Sequence, residues 1–277
     1  MHSSARRFSF VALLLFAVGL LAACSKSDVP PGKARVAVVG KTLANLVTRV
    51  AGDDADVRVV EGPGPDAESL ADGARVAVMV GLGYDDWFED VVRKKGVAKL
   101  RLVKAGARVP TVPEITGGDA QVPTVWLDPE RARLVVKAVA EELSRSDAAH
   151  ATAYRDRATA LDKELDALDK EIEARTAKWT QRSLVSATSS LAYFAERYHL
   201  DMAVVTQPKE GPPPPKERVL SVARDKHVRA LYTEKQGVGD AALAAEAKLS
   251  WVTVTPVGAP YESVLRGIVE ALEPYQR

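Results

Sequence analysis

The chain has 277 residues, with 38 Lys+Arg against 37 Asp+Glu and a formal net charge of +1. Hydrophobic residues make up 47% and charged residues 27%, the balance of a globular protein long enough for one or two domains. Near-neutral charge supplies no basic footprint for nucleic acid, and a single cysteine excludes an internal disulfide framework or a Cys-rich zinc site.

From the amino terminus, Arg6 and Arg7 precede an apolar run from Phe8 to Leu21, and Leu21-Ala22-Ala23 places small residues just before Cys24. That is the layout of a secretory signal peptide, too short and wrongly flanked for a stable membrane span. Leu-Ala-Ala-Cys is similar to a bacterial lipobox, which predicts cleavage after residue 23 and lipidation of Cys24. A multiply acylated cysteine is a stable membrane anchor. Residues 24–34, polar and bearing Pro and Gly, are expected to be a tether. The expected location is the cell envelope, lipid-anchored, on the periplasmic or extracellular face.

Beyond the tether, short β-branched runs alternate with helical patterns. They are Arg35–Val39, Val57–Val60, Val76–Val80 and Lys99–Val103, then Leu184–Ala187, Met202–Thr206, Val228–Thr233 and Trp251–Thr255. Continuous apolar strands separated by helices predict parallel sheets covered on both faces. The fold class is therefore α/β: two lobes, each a small parallel sheet of about four strands, spanning 35–147 and 180–277. Asp128-Pro129-Glu130 is a helix start, with a capping acid, a proline at the first helical position and a second acid near the positive end of the dipole.

Residues 148–179 form the link between the lobes. Ala148–Lys178 contains no Gly or Pro, and Tyr154, Ala158, Leu161, Leu165, Leu168 and Ile172 recur at helical spacing. Arg155, Asp156, Lys163, Glu164, Lys170 and Glu171 occupy the opposite face. One long helix crossing both lobes is predicted; a short coiled coil is the competing reading, over only about three heptads. Gly211-Pro212-Pro213-Pro214-Pro215 is a stiff surface connection.

Enzyme motifs are missing. There is no HExxH, Gly-x-Ser-x-Gly, Walker loop or Cys–His pair, and Gly81-Leu82-Gly83 lacks the third glycine of a dinucleotide fingerprint. His2 leaves with the signal peptide, and His150, His199 and His227 are far apart in sequence, as expected of surface or capping residues. A secreted pair of α/β lobes facing each other instead suggests a cleft for a solute at the carboxyl ends of the strands.

The run Val125-Trp126-Leu127-Asp128-Pro129-Glu130-Arg131-Ala132, followed by the long charged helix, resembles the zinc/manganese solute-binding proteins of ABC importers. Gly81-Leu82-Gly83 through Trp87, Tyr193-Phe194-Ala195-Glu196-Arg197-Tyr198, Tyr232-Thr233-Glu234 and Pro256-Val257-Gly258 resemble further pieces of that family, in order, over nearly all of the chain after Arg35. The resemblance implies a two-lobed fold joined by a rigid helix, ABC permease subunits as partners, membrane attachment through the lipid, and Zn or Mn as cargo.

The family's usual His and Asp ligands have no counterparts. The first histidine would fall near Asp66-Ala67-Glu68, the second at Thr124, the third at Thr188, and the terminal aspartate at Thr255; Glu234 is an acid near the site. Zinc is held by thiolate, imidazole or carboxylate, and threonine hydroxyls are poor ligands for it. The candidate cleft residues are thus Asp66, Glu68, Thr124, Thr188, Thr255 and Glu234, with a tight zinc site not expected. Two function classes stay open: a solute-binding lipoprotein with an atypical, threonine-rich site for a metal or another solute, and a non-transporting envelope lipoprotein with an interaction or regulatory role. The rigid helix leads to an expectation of small lobe closure.

Overall fold

In the computed structural model, which describes residues 32–115, 117–234 and 241–277, each apolar run becomes a strand of one of two parallel sheets. The signal segment and Cys24 lie outside the described residues. The first lobe runs β1 (Ala34–Val39), α1 (Lys41–Ala51), β2 (Ala55–Val60), α2 (Pro65–Ala71), β3 (Val76–Met79), α3 (Trp87–Lys95) and β4 (Arg101–Lys104). Next come α4 (Pro129–Ser146) and the linking helix α5 (Ala151–Thr176). The second lobe contains β5 (Ser183–Ser186), α6 (Ala192–Arg197), β6 (Asp201–Val205), α7 (Lys216–Asp225), β7 (Ala230–Thr233), α8 (Ala241–Glu246), β8 (Ser250–Thr253) and α9 (Tyr261–Gln276).

The two sheets have the same order, β2-β1-β3-β4 and β6-β5-β7-β8, with every pairing parallel. Strand β3 is buried throughout, as is β7, because helices cover both faces. Edge strand β8 is largely exposed, Trp251 included. One continuous core runs from Val36, Leu46 and Val78 through Leu127, Leu161 and Leu165 to Leu184, Tyr193 and Tyr232. Smaller clusters lie elsewhere, around Met79, Phe88 and Val92 in one lobe and Val185, Val204 and Leu231 in the other. No described helix is long and apolar enough to cross a membrane.

Asp128 caps α4 as its sequence predicts, its Oδ1 accepting the Glu130 N–H at 2.8 Å. The linking helix buries the predicted stripe from Tyr154 to Ile172. It starts at Ala151, later than the sequence pattern suggests, because residues Ala148–His150 form a tight 3-10 turn. Asp147 closes that turn, its Oδ2 within 2.7 Å of His150 Nδ1 and accepting the Tyr154 hydroxyl at 2.8 Å. At 1.5 Å per residue, α5 is about 39 Å long.

Charged side chains fasten α5 to both lobes. Arg157 donates to the carbonyls of Val50 (2.7 Å) and Ala51 (2.8 Å) at the carboxyl end of α1, and to Asp54 (2.8 Å). Gly52 is needed beside it: its φ is +54°, and a β-carbon there would lie 2.8 Å from Arg157 Cζ. Toward the second lobe, Asp169 is only 3% exposed yet sits in the apolar stripe. Its carboxylate accepts from Arg197 Nε at 3.0 Å and from the Tyr198 hydroxyl at 3.0 Å. Breaking a buried charge pair strands the other partner. Replacing Asp169 with Ala is therefore expected to lower stability by about 3 kcal/mol in chemical denaturation, with the Arg197→Ala, Asp169→Ala double variant losing less than the sum.

The hydrogen bond to Asp147 raises the His150 pKa above its ordinary 6.5. Folding then favours the protonated ring. The stabilisation is complete below the unfolded value and is lost as pH rises through the higher folded one. A melting-temperature profile across neutral pH should fall in that window for the native chain and flatten for His150→Gln.

Candidate solute cleft

The carboxyl ends of both sheets open onto a cavity of about 290 Å³ between the lobes. Its first-lobe wall is built by the turn after β3 and by the segment entering α4. Gly81, Leu82 and Gly83 all have positive φ (73°, 58° and 72°), so the chain turns sharply and carries Tyr84 to the cleft. Buried Asp85 holds this turn, accepting the N–H groups of Val80 (2.8 Å) and Gly81 (2.6 Å). Burial pushes the Asp85 carboxyl up, against those two backbone donors. Leu82 fills the space above buried Gly106, where a β-carbon would come within 2.4 Å of Leu82 Cγ.

Thr124 and Trp126 continue the wall. Thr124 is 7% exposed, and its hydroxyl donates to the Ser190 carbonyl of the other lobe at 2.6 Å. Tyr84 meets the Trp126 ring edge-on at 6.4 Å. Burial, then the charges of Asp85 and Glu234, raise the Tyr84 phenol.

The opposite wall follows β5, β6 and β7. Thr188 donates its one hydroxyl proton to Glu234, the residue just after β7, and its Oγ lies 3.0 Å from Ser190 Oγ, from which it accepts. Gln207 and Lys209, from the segment after β6, complete it. The Lys209 ammonium reaches across to the first lobe, 3.8 Å from where a β-carbon on Gly83 would sit.

Three of the residues singled out in the sequence, Thr124, Thr188 and Glu234, thus come together in one cavity. The other three do not. Asp66 is exposed on α2, away from the cleft lining, and Glu68 pairs with Lys94 and Lys95 of α3 at 3.6 and 3.0 Å. Thr255 is exposed and lines a separate depression with Thr253, Ala259 and Ser263. Among the described residues, no group of three or more His, Cys, Asp or Glu is placed to hold a metal ion. His199 and His227 are exposed helix-ending residues at positive φ (57° and 53°), and His150 belongs to the turn before α5.

Sequence reasoning did not place Tyr84, Glu114, Ser189, Gln207 or Lys209 in the cleft, and all of them line the cavity. Glu114 sits in a small hairpin, bridged at Pro113 and Gln121, with its N–H on the Ala120 carbonyl at 2.9 Å. No periodic pattern marks such a loop; the only signal was an isolated acid among Val and Pro.

A two-lobed α/β body with a polar cleft at the strand ends is the architecture of an extracytoplasmic solute-binding protein. The family model described as zinc-uptake complex component A, periplasmic, matches residues 36–273. The chain belongs to this family of solute-binding components of ABC importers. Curated protein sequences yielded no match. Among solved structures, a ZnuA crystal structure superposes with a TM-score of 0.77 at 20% identity, covering 88% of this chain and 100% of that one. The laminin-binding protein Lbp of Streptococcus pyogenes gives 0.74 at 22% identity, covering 88% and 99%. The zinc-bound ZnuA-like domain of Streptococcus pneumoniae AdcA gives 0.72 at 21% identity, with 88% and 99% covered. At these identities the likeness is one of fold.

Because Leu82 occupies the space over Gly106, Gly106→Ala should overpack the turn that carries Tyr84, costing about 1–3 kcal/mol. Adding Leu82→Ala should recover part of that loss in denaturant titrations, since it removes the side chain in the way.

Proposed function

We propose that this chain is the extracytoplasmic solute-binding lipoprotein of an importer of this family's type, and that its cleft is an atypical hydroxyl-lined site in place of a tight zinc site. The observation that carries this reading is the donor set. Thr124 and Thr188 stand where the resemblance places imidazoles, and the described residues contain no cluster of metal-ligating side chains. Hydroxyls donate and accept hydrogen bonds but leave a divalent ion's charge uncompensated. Of the nearby acids, Glu234 is already engaged by Thr188. Asp66, Glu68 and Thr255 would join a site only by rearrangement of the chain around them.

The proposed division of the chain is a signal peptide over 1–23, a lipidated tether over 24–34, lobes over 35–147 and 180–277, and the linking helix between them. Cys24 is the proposed attachment point, and ABC permease subunits are the proposed partners. A shared core and the fastening of α5 to both lobes support small closure on binding.

Isothermal titration of the metal-stripped full chain in detergent, with Zn²⁺ and with Mn²⁺, is the test. No submicromolar one-to-one binding is expected; such binding by either ion would overturn the hydroxyl-site reading. For the anchor, Cys24→Ala should move the protein from the membrane fraction to the supernatant after cell lysis, and a chain that stays membrane-bound would refute lipid attachment there.

A further inference from the structure

Two charged side chains in the cleft lack a charged partner among the described residues. Glu114 is 5% exposed, and its Oε2 makes no hydrogen bond. Lys209 is exposed at the cavity mouth, and no ion pair joins it to Glu114 or to any other described residue. The other buried acids among the described residues are matched: Asp169 by Arg197 and Tyr198, Asp128 by Arg131 and the Glu130 N–H, Asp85 by two backbone donors. A buried carboxylate oxygen left without a donor is costly, and such a group is found where something else supplies the donor.

A second orphan lies in the same cavity. Ser189 Oγ is buried, with its residue 5% exposed, and it too has no partner. Glu114 is held in place rather than loosely suspended. Its hairpin is pinned on both sides by main-chain bonds, and Val112 N–H donates across the lobes to the Tyr193 hydroxyl at 3.1 Å. The aromatic and apolar part of the wall is Tyr84, Trp126, Val122, Pro123, Pro256 and Val257, and Glu234 on the far side is already bonded to Thr188. Aromatic faces favour a cation, and the apolar surface favours a short hydrocarbon frame. With about 30 Å³ per water, a 290 Å³ cavity has room for a solute displacing about ten waters.

Building on the solute-binding reading above, we propose that the cleft takes a small zwitterion of amino-acid size. Its ammonium is taken by Glu114 Oε2 and Ser189 Oγ, closed to solvent in the free protein and turned to the ligand on binding, its carboxylate by the Lys209 ammonium, and its frame lies along Tyr84 and Trp126. Gln207, able both to donate and to accept, borders the same space. The ligand supplies the donors that Glu114 and Ser189 lack and the anion that Lys209 lacks.

The test is thermal shift followed by titration calorimetry on the full chain in detergent. The probes are the protein amino acids, β-alanine and 4-aminobutyrate, with methylamine and propionate as single-charge analogues, glucose as a neutral solute, and Zn²⁺. At least one zwitterion should bind one-to-one, and both single-charge analogues should fail at the same concentration. Glu114→Gln and Lys209→Met should each weaken that binding by roughly thirtyfold or more, as loss of one partner of a charge pair does. Without ligand, Glu114→Gln should melt no lower than the native chain, because a carboxylate that stabilises the fold would be missed and an unpartnered one would not. If no zwitterion binds, or if binding survives Glu114→Gln, the proposal is overturned. Binding of glucose alone would overturn it while leaving the solute-binding reading intact. Submicromolar Zn²⁺ binding would instead bring down the hydroxyl-site reading on which it rests.

Discussion

The Trp126 seam makes the two lobes one body. Its indole N–H donates to the Pro256 carbonyl at 2.7 Å, and its own carbonyl accepts the fully buried Tyr261 hydroxyl at 2.8 Å. Beside it, Asn45 accepts the Tyr261 N–H at 3.0 Å and Thr42 accepts the Gly258 N–H at 2.9 Å. Each bond contributes about 1 kcal/mol net, but a wide opening of the lobes would leave several buried groups unpaired at about 1–3 kcal/mol each. The linking helix adds rigidity; the seam adds a penalty for separating what the helix spans. Adjustment around a solute therefore falls to cleft side chains and turns more than to the lobes as bodies.

That constraint places the chemistry. With the lobes held together, the only freedom in the cleft is which side chains the turns deliver to it. The turn after β3 delivers Tyr84, and the segment before α4 delivers Thr124 and the Glu114 hairpin. The turns of the second lobe deliver Thr188, Ser189, Lys209 and Glu234. A fold shared with zinc-uptake components thus surrounds a cavity lined by hydroxyls, one amide, two acids and one amine. Fold and function separate at such sites, because packing depends on the strands and helices while recognition depends on a handful of loop residues.

Acids in this protein divide by what surrounds them. Asp85, Asp128 and Asp169 are buried and matched, and they hold a turn, a helix start and the junction between α5 and α6. Glu68 lies on the surface among lysines, where its pair is screened and worth little. Glu114 is buried and unmatched, which sets it apart from all of these.

Local pattern in the sequence was enough for the two sheets, the stripe along α5 and the capped start of α4. Each of these is written in neighbouring residues: β-branched runs, helical spacing, or an Asp-Pro-Glu start. Asp169 was hidden because it sits in an apolar stripe and its partners are distant in sequence, in α6 and just beyond. Only the tertiary structure decided that Asp66, Glu68 and Thr255 stand apart from the cavity while Glu114, Ser189, Gln207 and Lys209 line it. Those positions follow from where long-range packing brings the turns of two sheets together, and spacing along the chain carries no record of that.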